Sequence, residues 1–314
     1  MLLGLGLTLA TTGLPAQGLP GWRPINPTMT SRSALGFDPV VTAGRGWRIG
    51  LQIDHANMLE AQDRSGGDLV LDAEVTRLDL RLGHDLGARW FVQGVIPLEA
   101  ADGGFLDSFV DWWHGIFGFS EARREQRPRN TFEYDFTLPD GSSVAYGQSG
   151  LRLGDVRTTV GYRLAPGWQA ALTVALPTGQ GPAGYSMETA AVGLTTTYRG
   201  RLGFDRLTYE GGLGVGYTPA AGSLRQWQRT WLASAASGLR FRAVGRQSVY
   251  ANVLFHSATY QGTTLPSLDG PDLSLDFGFL LKPGNGPEIV AGMVEDLYPF
   301  GPAVDMVFRL GVRW

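Results

Sequence analysis

From Trp47 to the C-terminus, apolar residues alternate with polar residues or glycine, the period of a strand with two unlike faces. Twelve such segments are readable: 47–57, 69–82, 89–98, 154–164, 168–176, 189–199, 206–217, 230–243, 249–260, 272–281, 288–296 and 304–314. In the second, the apolar parity changes near Thr76: Leu69, Leu71, Ala73 and Val75 precede Leu78, Leu80 and Leu82, as a β-bulge would produce. The even-numbered connections are tight, and the odd ones are generally longer, the third running from 99 to 153. Short turns at one rim and long loops at the other are the pattern of an outer-membrane barrel. The expected fold is therefore an all-β, transmembrane, antiparallel up-and-down barrel of about twelve strands, with a short helix in its third connection.

The alternation also separates outside from inside. Arg48, Arg157, Arg163, Arg240, Arg242, Arg309 and Arg313 fall on the opposite parity from the Leu/Val/Trp set. A mid-membrane arginine facing lipid would cost roughly 2–4 kcal/mol, so these side chains are expected in the lumen. Aromatics gather at the segment ends: Trp47, Trp90, Trp168, Tyr198, Tyr217, Trp231, Tyr260 and Trp314. This is the placement of interfacial girdles. The ending Phe308-Arg309-Leu310-Gly311-Val312-Arg313-Trp314 resembles the C-terminal signal read by the outer-membrane assembly machinery. With short turns in the periplasm, both termini are expected there, in the outer membrane of a Gram-negative cell. Outer-membrane lipid and lipopolysaccharide are the expected surroundings.

Composition narrows the classes. After residue 20 no stretch approaches the roughly 18 uninterrupted apolar residues of a spanning helix. The mean hydropathy of -0.05 agrees. The formal net charge of -3, with Lys282 the only lysine, gives no reason to expect nucleic acid. The absence of cysteine removes disulfides, thiol nucleophiles and Cys-ligated zinc. The opening MLLGLGLTLATTGLPAQG reads as a signal-peptide core with cleavage after Ala16, against the alternative of a buried N-terminal segment. The expected division is a signal peptide at 1–16, a periplasmic or plug segment at 17–44, and a barrel at 45–314.

Inward arginines concentrate toward the periplasmic ends: Arg48, Arg81, Arg89, Arg163, Arg206, Arg240, Arg242 and Arg313. Acids concentrate toward the other end: Asp54, Asp72, Glu74, Glu99, Asp155, Asp272 and Asp305, with Glu210 and Asp79 as exceptions. Two readings follow: a lumen with an axial field that biases solute passage, or a narrow lumen filled by salt-bridged side chains. The pore-lining candidates are Arg48, Arg81, Arg157, Arg163, Arg240, Arg242, Arg309, Asp54, Asp72, Asp155 and Asp272.

The third connection breaks the β period. Phe105, Phe109, Trp112, Trp113 and Ile116 have helical spacing, with Asp107, Asp111 and His114 as a polar stripe. This segment could fold into the mouth as a constriction, lie flat on the outer surface, or carry a catalytic or metal site. The last is the weakest, because capping and solvated faces give the same stripe. GGFLDSFVDWWHGIFGF at 103–119, the arginine-rich run 123–130, Gly154-Asp155-Val156-Arg157, Leu176-Pro177-Thr178-Gly179 and Arg23-Pro24-Ile25-Asn26-Pro27 together resemble a bacterial family of unknown function 3187. The resemblance spans essentially the whole mature chain and is most specific over 69–180. It implies an outer-membrane barrel and assigns no activity. Where other members carry a Gly-Ser segment after Pro-Thr-Gly, this chain has GPAGY at 181–185.

Function divides into a passive channel or small-solute pore, a lipid-modifying hydrolase, and a structural or adhesin barrel acting through its loops. For a hydrolase, His256 follows Asn252 by four and precedes Ser257. Adjacent residues of a strand point to opposite faces, so Ser257 and His256 cannot act as nucleophile and base without a bulge. No His-x-x-x-His pair or phosphate loop appears, and no metal or cofactor is expected. The balance lies against an enzyme and with the channel.

Overall fold

The computed structural model describes residues 18–40, 46–64, 66–118, 127–180, 185–203, 205–284, 286–298, 301–302 and 304–314. The predicted signal peptide and its cleavage position lie outside them, as do much of the arginine-rich run and most of the GPAGY segment.

Twelve antiparallel strands close into a cylinder: β1 (Trp47–Arg64), β2 (Gly67–Leu86), β3 (Trp90–Asp102), then β7 (Arg157–Ala165), β8 (Trp168–Ala175), β9 (Ala191–Arg201), β10 (Leu207–Tyr217), β11 (Trp231–Val244), β12 (Gln247–His256), β13 (Asp272–Leu281), β14 (Glu288–Asp296) and β15 (Met306–Arg313). Pairing of β1 with β15 closes it, from Gly50↔Arg313 to Asn57↔Met306. Closure leaves no unpaired edge, the condition for a sheet in lipid. The tight turns, such as 166–167 and 245–246, lie at one rim with the C-terminus, and the long connections at the other. The outward row of Trp47, Ile49, Leu51, Ile53, Leu80, Val160, Leu172, Leu194, Leu213, Leu239, Phe279 and Leu310 is exposed, a continuous apolar belt.

The third connection is more ordered than a loop. It carries α2 (Asp107–Phe117) and three short strands that the alternation did not reveal, β4 (Glu133–Thr137), β5 (Ser143–Tyr146) and β6 (Ser149–Leu153). β4 pairs with the upper part of β2, β5 with β4, and β6 with the upper part of β3, extending the wall above the belt. β1 and β2 themselves run on as a hairpin, in unbroken register from Trp47↔His84 to Arg64↔Gly67.

That register overturns the expected bulge near Thr76. Leu69, Leu71, Ala73 and Val75 keep the parity of Arg77 and Asp79 and face inward. There they join Tyr134, Phe136, Tyr260, Leu265 and Leu268 in a buried apolar lid above the lumen. Burial pushes the Tyr134 hydroxyl well above its ordinary value, so it is neutral at any physiological pH. The apolar set changes faces because its solvent changes. Below Thr76 grease faces lipid, and above it grease faces a core. Asp72 and Glu74 consequently point outward and do not belong to the lumen.

Candidate functional site: the filled lumen

The first described residues lie inside the barrel. Residues 18–40 form a hairpin that rises from the tight-turn rim, reverses at α1 (Pro27–Thr30) and descends, with Trp22 and Phe37 bridged by two backbone hydrogen bonds of 2.8 and 2.9 Å. Asn26 caps the turn through Thr28 N (3.0 Å), and Pro27 at the first helical position needs no partner for its nitrogen. The segment lacks a period because it has no face of its own and meets wall on every side.

Glycines make the room. A β-carbon at Gly212 would stand 2.7 Å from the Phe37 ring, one at Gly216 3.0 Å from Leu35, and one at Gly238 2.6 Å from Leu19. These inward glycines of β10 and β11 were legible as small residues of a crowded barrel, though not what crowds it.

The remaining ties are polar and reach the hairpin's full length. Arg313 donates to the carbonyls of Gly18 (2.9 Å) and Leu19 (3.2 Å), and Glu210 accepts from Leu19 N (3.0 Å). Arg77 donates to Pro24 O at 2.6 Å. Arg23 of the hairpin bridges its own Asp38 (3.0 Å) and Asp79 of the wall (3.2 Å), and Arg81 reaches the same two carboxylates. At the far rim Arg32 donates to the carbonyls of Thr218, Pro219 and Arg229. Deeper, Arg309 joins Asp54 (2.8 Å) and Asp276 (2.5 Å), and Tyr250 donates to Asp276 (2.9 Å).

The predicted pore-lining residues sort accordingly. Arg48 and Arg163 face inward and share Asp85, at 2.5 and 2.7 Å. Arg81, Arg157, Arg240, Arg242, Arg309 and Asp54 also face inward. Asp155 lies at the lumen wall beside Arg157 and accepts from Gly179 N and Met187 N. Asp272 shares the inward parity of His256 and accepts from Ser274. Asp72 does not belong with them: it is on the outer face, held by Arg127 (3.2 Å) and Thr131 (3.0 Å). The Arg–Asp ties through Asp38 link the wall to the hairpin, a partner that strand parity alone could not supply. Only small cavities, of about 10 and 30 Å³, flank the hairpin among the described residues.

Helix α2 lies on the outside of the cylinder, so it constricts nothing. Leu106 and Val110 bury against the outward Met306, Met293 and Phe308, and the Phe109 and Phe308 rings stand 5.4 Å apart. Its polar stripe is used for docking. Asp107 accepts from Asn57 (2.8 Å) and Asn130 N (2.6 Å), Asp111 pairs with Arg129 (2.8 Å), and His114 with the outward Glu295 (3.5 Å). Glu74, also outward, accepts from the backbone of Phe105 and Leu106. Trp113 packs with this cluster, while Phe105 (70 % exposed) and Trp112 (58 %) face away. The helical spacing located the element but could not say which side of the wall offered its apolar shelf. Asp107→Ala removes the acceptor of the buried Asn57 amide and of Asn130 N, and is expected to cost about 1–3 kcal/mol locally. Amide exchange should speed up in residues 107–117 and stay unchanged in the barrel strands.

His256 is fully buried inside the barrel, its Nε2 2.6 Å from Ser33 Oγ of the hairpin and its Nδ1 2.6 Å from Ser257 O. Ser257 is turned away, its hydroxyl accepting from Ala233 N. The serine that meets the histidine is thus in the plug, shielded from lipid, and the pair fixes the descending arm.

A profile described as "Protein of unknown function (DUF3187)" matches residues 29–314. The chain belongs to the DUF3187 family. Among curated proteins none matches this DUF3187 member. Among solved structures it is similar to the COG4313 outer membrane channel from Pseudomonas putida F1, with a TM-score of 0.55 and 14% identity over 87% of this chain and 95% of that one. It is more distantly similar to the CymD monoaromatic hydrocarbon channel (TM-score 0.43, 10% identity, 92% and 90% covered) and to the NanC porin (TM-score 0.45, 9% identity, 85% and 98% covered). The DUF3187 member therefore has the fold of an outer-membrane β-barrel.

Proposed function

We propose that the protein is an outer-membrane channel closed from the periplasmic side by its own N-terminal hairpin, residues 18–40. The observation that carries this reading is the hairpin's attachment. Most of its polar ties join one arginine or one carboxylate to a backbone carbonyl or amide, and its apolar side chains rest on wall glycines and in small separate clusters, Leu19 against Tyr250, Leu280 and Val290, and Trp22 with Phe37 against Leu254. Such contacts release singly, without opening the sheet. The likeness to a protein named a channel, at a TM-score of 0.55, supports the same reading. In this arrangement the tight turns and both termini are periplasmic, and lipid and lipopolysaccharide surround the belt. The C-terminal strand ending in Trp314 is the segment offered to the assembly machinery. Arg81, Arg157 and Arg309 with Asp54 and Asp155 line the path that hairpin withdrawal opens, and the exposed aromatics of α2 lie in the outer leaflet.

The test uses the chain's lack of cysteine. In planar bilayers the protein is expected to dwell closed with brief openings. A Ser33→Cys thiol, buried in the closed state, should react with a water-soluble maleimide only as fast as the hairpin leaves. Immediate labelling with no accompanying conductance would overturn the reading.

A further inference from the structure

At the tight-turn rim the cationic side chains are unevenly distributed. On one side arginines and acids are interleaved: Arg48 and Arg163 share Asp85, Arg81 meets Asp79 and Asp38, and Arg313 meets Glu288. On the other side an open hollow of about 290 Å³ is lined by Arg201, Arg206, Arg240, Arg242, Arg246 and Lys282. Among its described lining residues the only carboxylate is Asp205, which pairs with Arg201 at 3.2 Å. Six cations against one acid, in a chain whose formal net charge is -3, is a concentration of charge that folding has to hold together.

The sheet fixes this cluster rather than leaving it to flexible loops. Arg242 N donates to Arg206 O at 2.8 Å across β10 and β11. Arg240 pairs with Thr208 in the same register, and Arg246 donates to Gly284 O at 2.6 Å, joining the β11–β12 turn to the connection that carries Lys282. The only lysine of the chain stands here, and Arg206, Arg242 and Lys282 are exposed or half-buried at the mouth.

We propose that this hollow is a binding site for a multivalent oxyanion of the phosphate class. Guanidinium forks match phosphate oxygens two at a time, and several converging cations suit a group bearing more than one negative charge better than chloride or a single carboxylate. The low-dielectric wall on one side of the hollow strengthens the attraction relative to an open surface. Because the lining side chains face the lumen, the ligand this chemistry suits is a soluble phosphate or phosphate ester. The site stands whether or not the barrel conducts.

Isothermal titration of the whole protein in detergent with inorganic pyrophosphate, at constant ionic strength, tests it. Saturable binding is expected, weakened at least about tenfold in the triple variant Arg206→Gln, Arg242→Gln, Lys282→Gln, whose positions are not in the core. Arg89→Gln, at the same rim but outside the hollow, should leave the affinity unchanged. No saturable binding, or equal binding by the triple variant, would overturn the site.

Discussion

Arg309→Met is expected to destabilise the barrel by about 3–5 kcal/mol, read as a shift of the urea unfolding midpoint in detergent micelles. Arg309 is buried between two strands' carboxylates, Asp54 of β1 and Asp276 of β13, and Gly292 of β14 leaves space beside it, where a β-carbon would stand 2.2 Å from the Tyr250 hydroxyl. Without the guanidinium, Asp54 keeps Arg77 at 3.2 Å, but Asp276 keeps only the Tyr250 hydroxyl. A carboxylate enclosed by wall and hairpin then lacks a counter-charge, which costs more than the original pair contributed. Adding Asp276→Asn to Arg309→Met should recover part of the loss by removing the stranded charge. If Arg309→Met is as stable as the native chain, water reaches Asp276 freely, and the lumen is wetter than the packing of residues 18–40 implies.

The barrel strands were legible because each one separates two solvents and the residues record both. Leu51 beside Gln52 and Leu310 beside Arg309 show it at single steps. The same rule failed in upper β2, where Leu71 and Leu80 are equally apolar but one faces the lid and the other lipid. Alternation reports a boundary between polar and apolar surroundings and does not say which apolar medium lies beyond. Asp72 was placed in the lumen by the parity that this misreading produced. β4 to β6 were missed because four or five residues are too few to establish a period. Inward arginines could be listed from parity, but their partners could not, since Asp38 and the carbonyls of Gly18, Leu19 and Pro24 come from a segment without periodic pattern. The surface helix was visible as a helix, and its docking residues Asp107 and His114 were singled out. Their roles required knowing that Asn57 and Glu295 face outward.

Deleting residues 18–40 is expected to convert a closed barrel into one that stays open, seen as steady single-channel current where the intact chain shows only brief events. The hairpin contributes Leu19, Trp22, Ile25, Met29, Leu35 and Phe37 to the interior, all buried, and each such side chain is worth roughly 1.5–3 kcal/mol when removed from water. The deletion therefore also lowers stability, but the sheet closes through β1 and β15 without any hairpin residue. What the deletion exposes is a wall made small by Gly193, Gly212, Gly214, Gly216 and Gly238 and charged by Arg77, Asp79, Arg81, Glu210 and Arg313. A lumen lined this way fills with water and passes ions. A second barrier stands at the other rim, where Tyr134, Phe136, Tyr260, Leu265 and Leu268 form the apolar lid, which meets the hairpin through the Ile25 side chain and through the Tyr260 hydroxyl beside Ser31. The two barriers respond differently. If the deletion variant folds and remains closed, the lid is the seal and the hairpin is a structural core. If it opens, charge-reversing Asp79→Arg should then shift its ion selectivity toward anions, because that side chain faces the water that replaced Arg23.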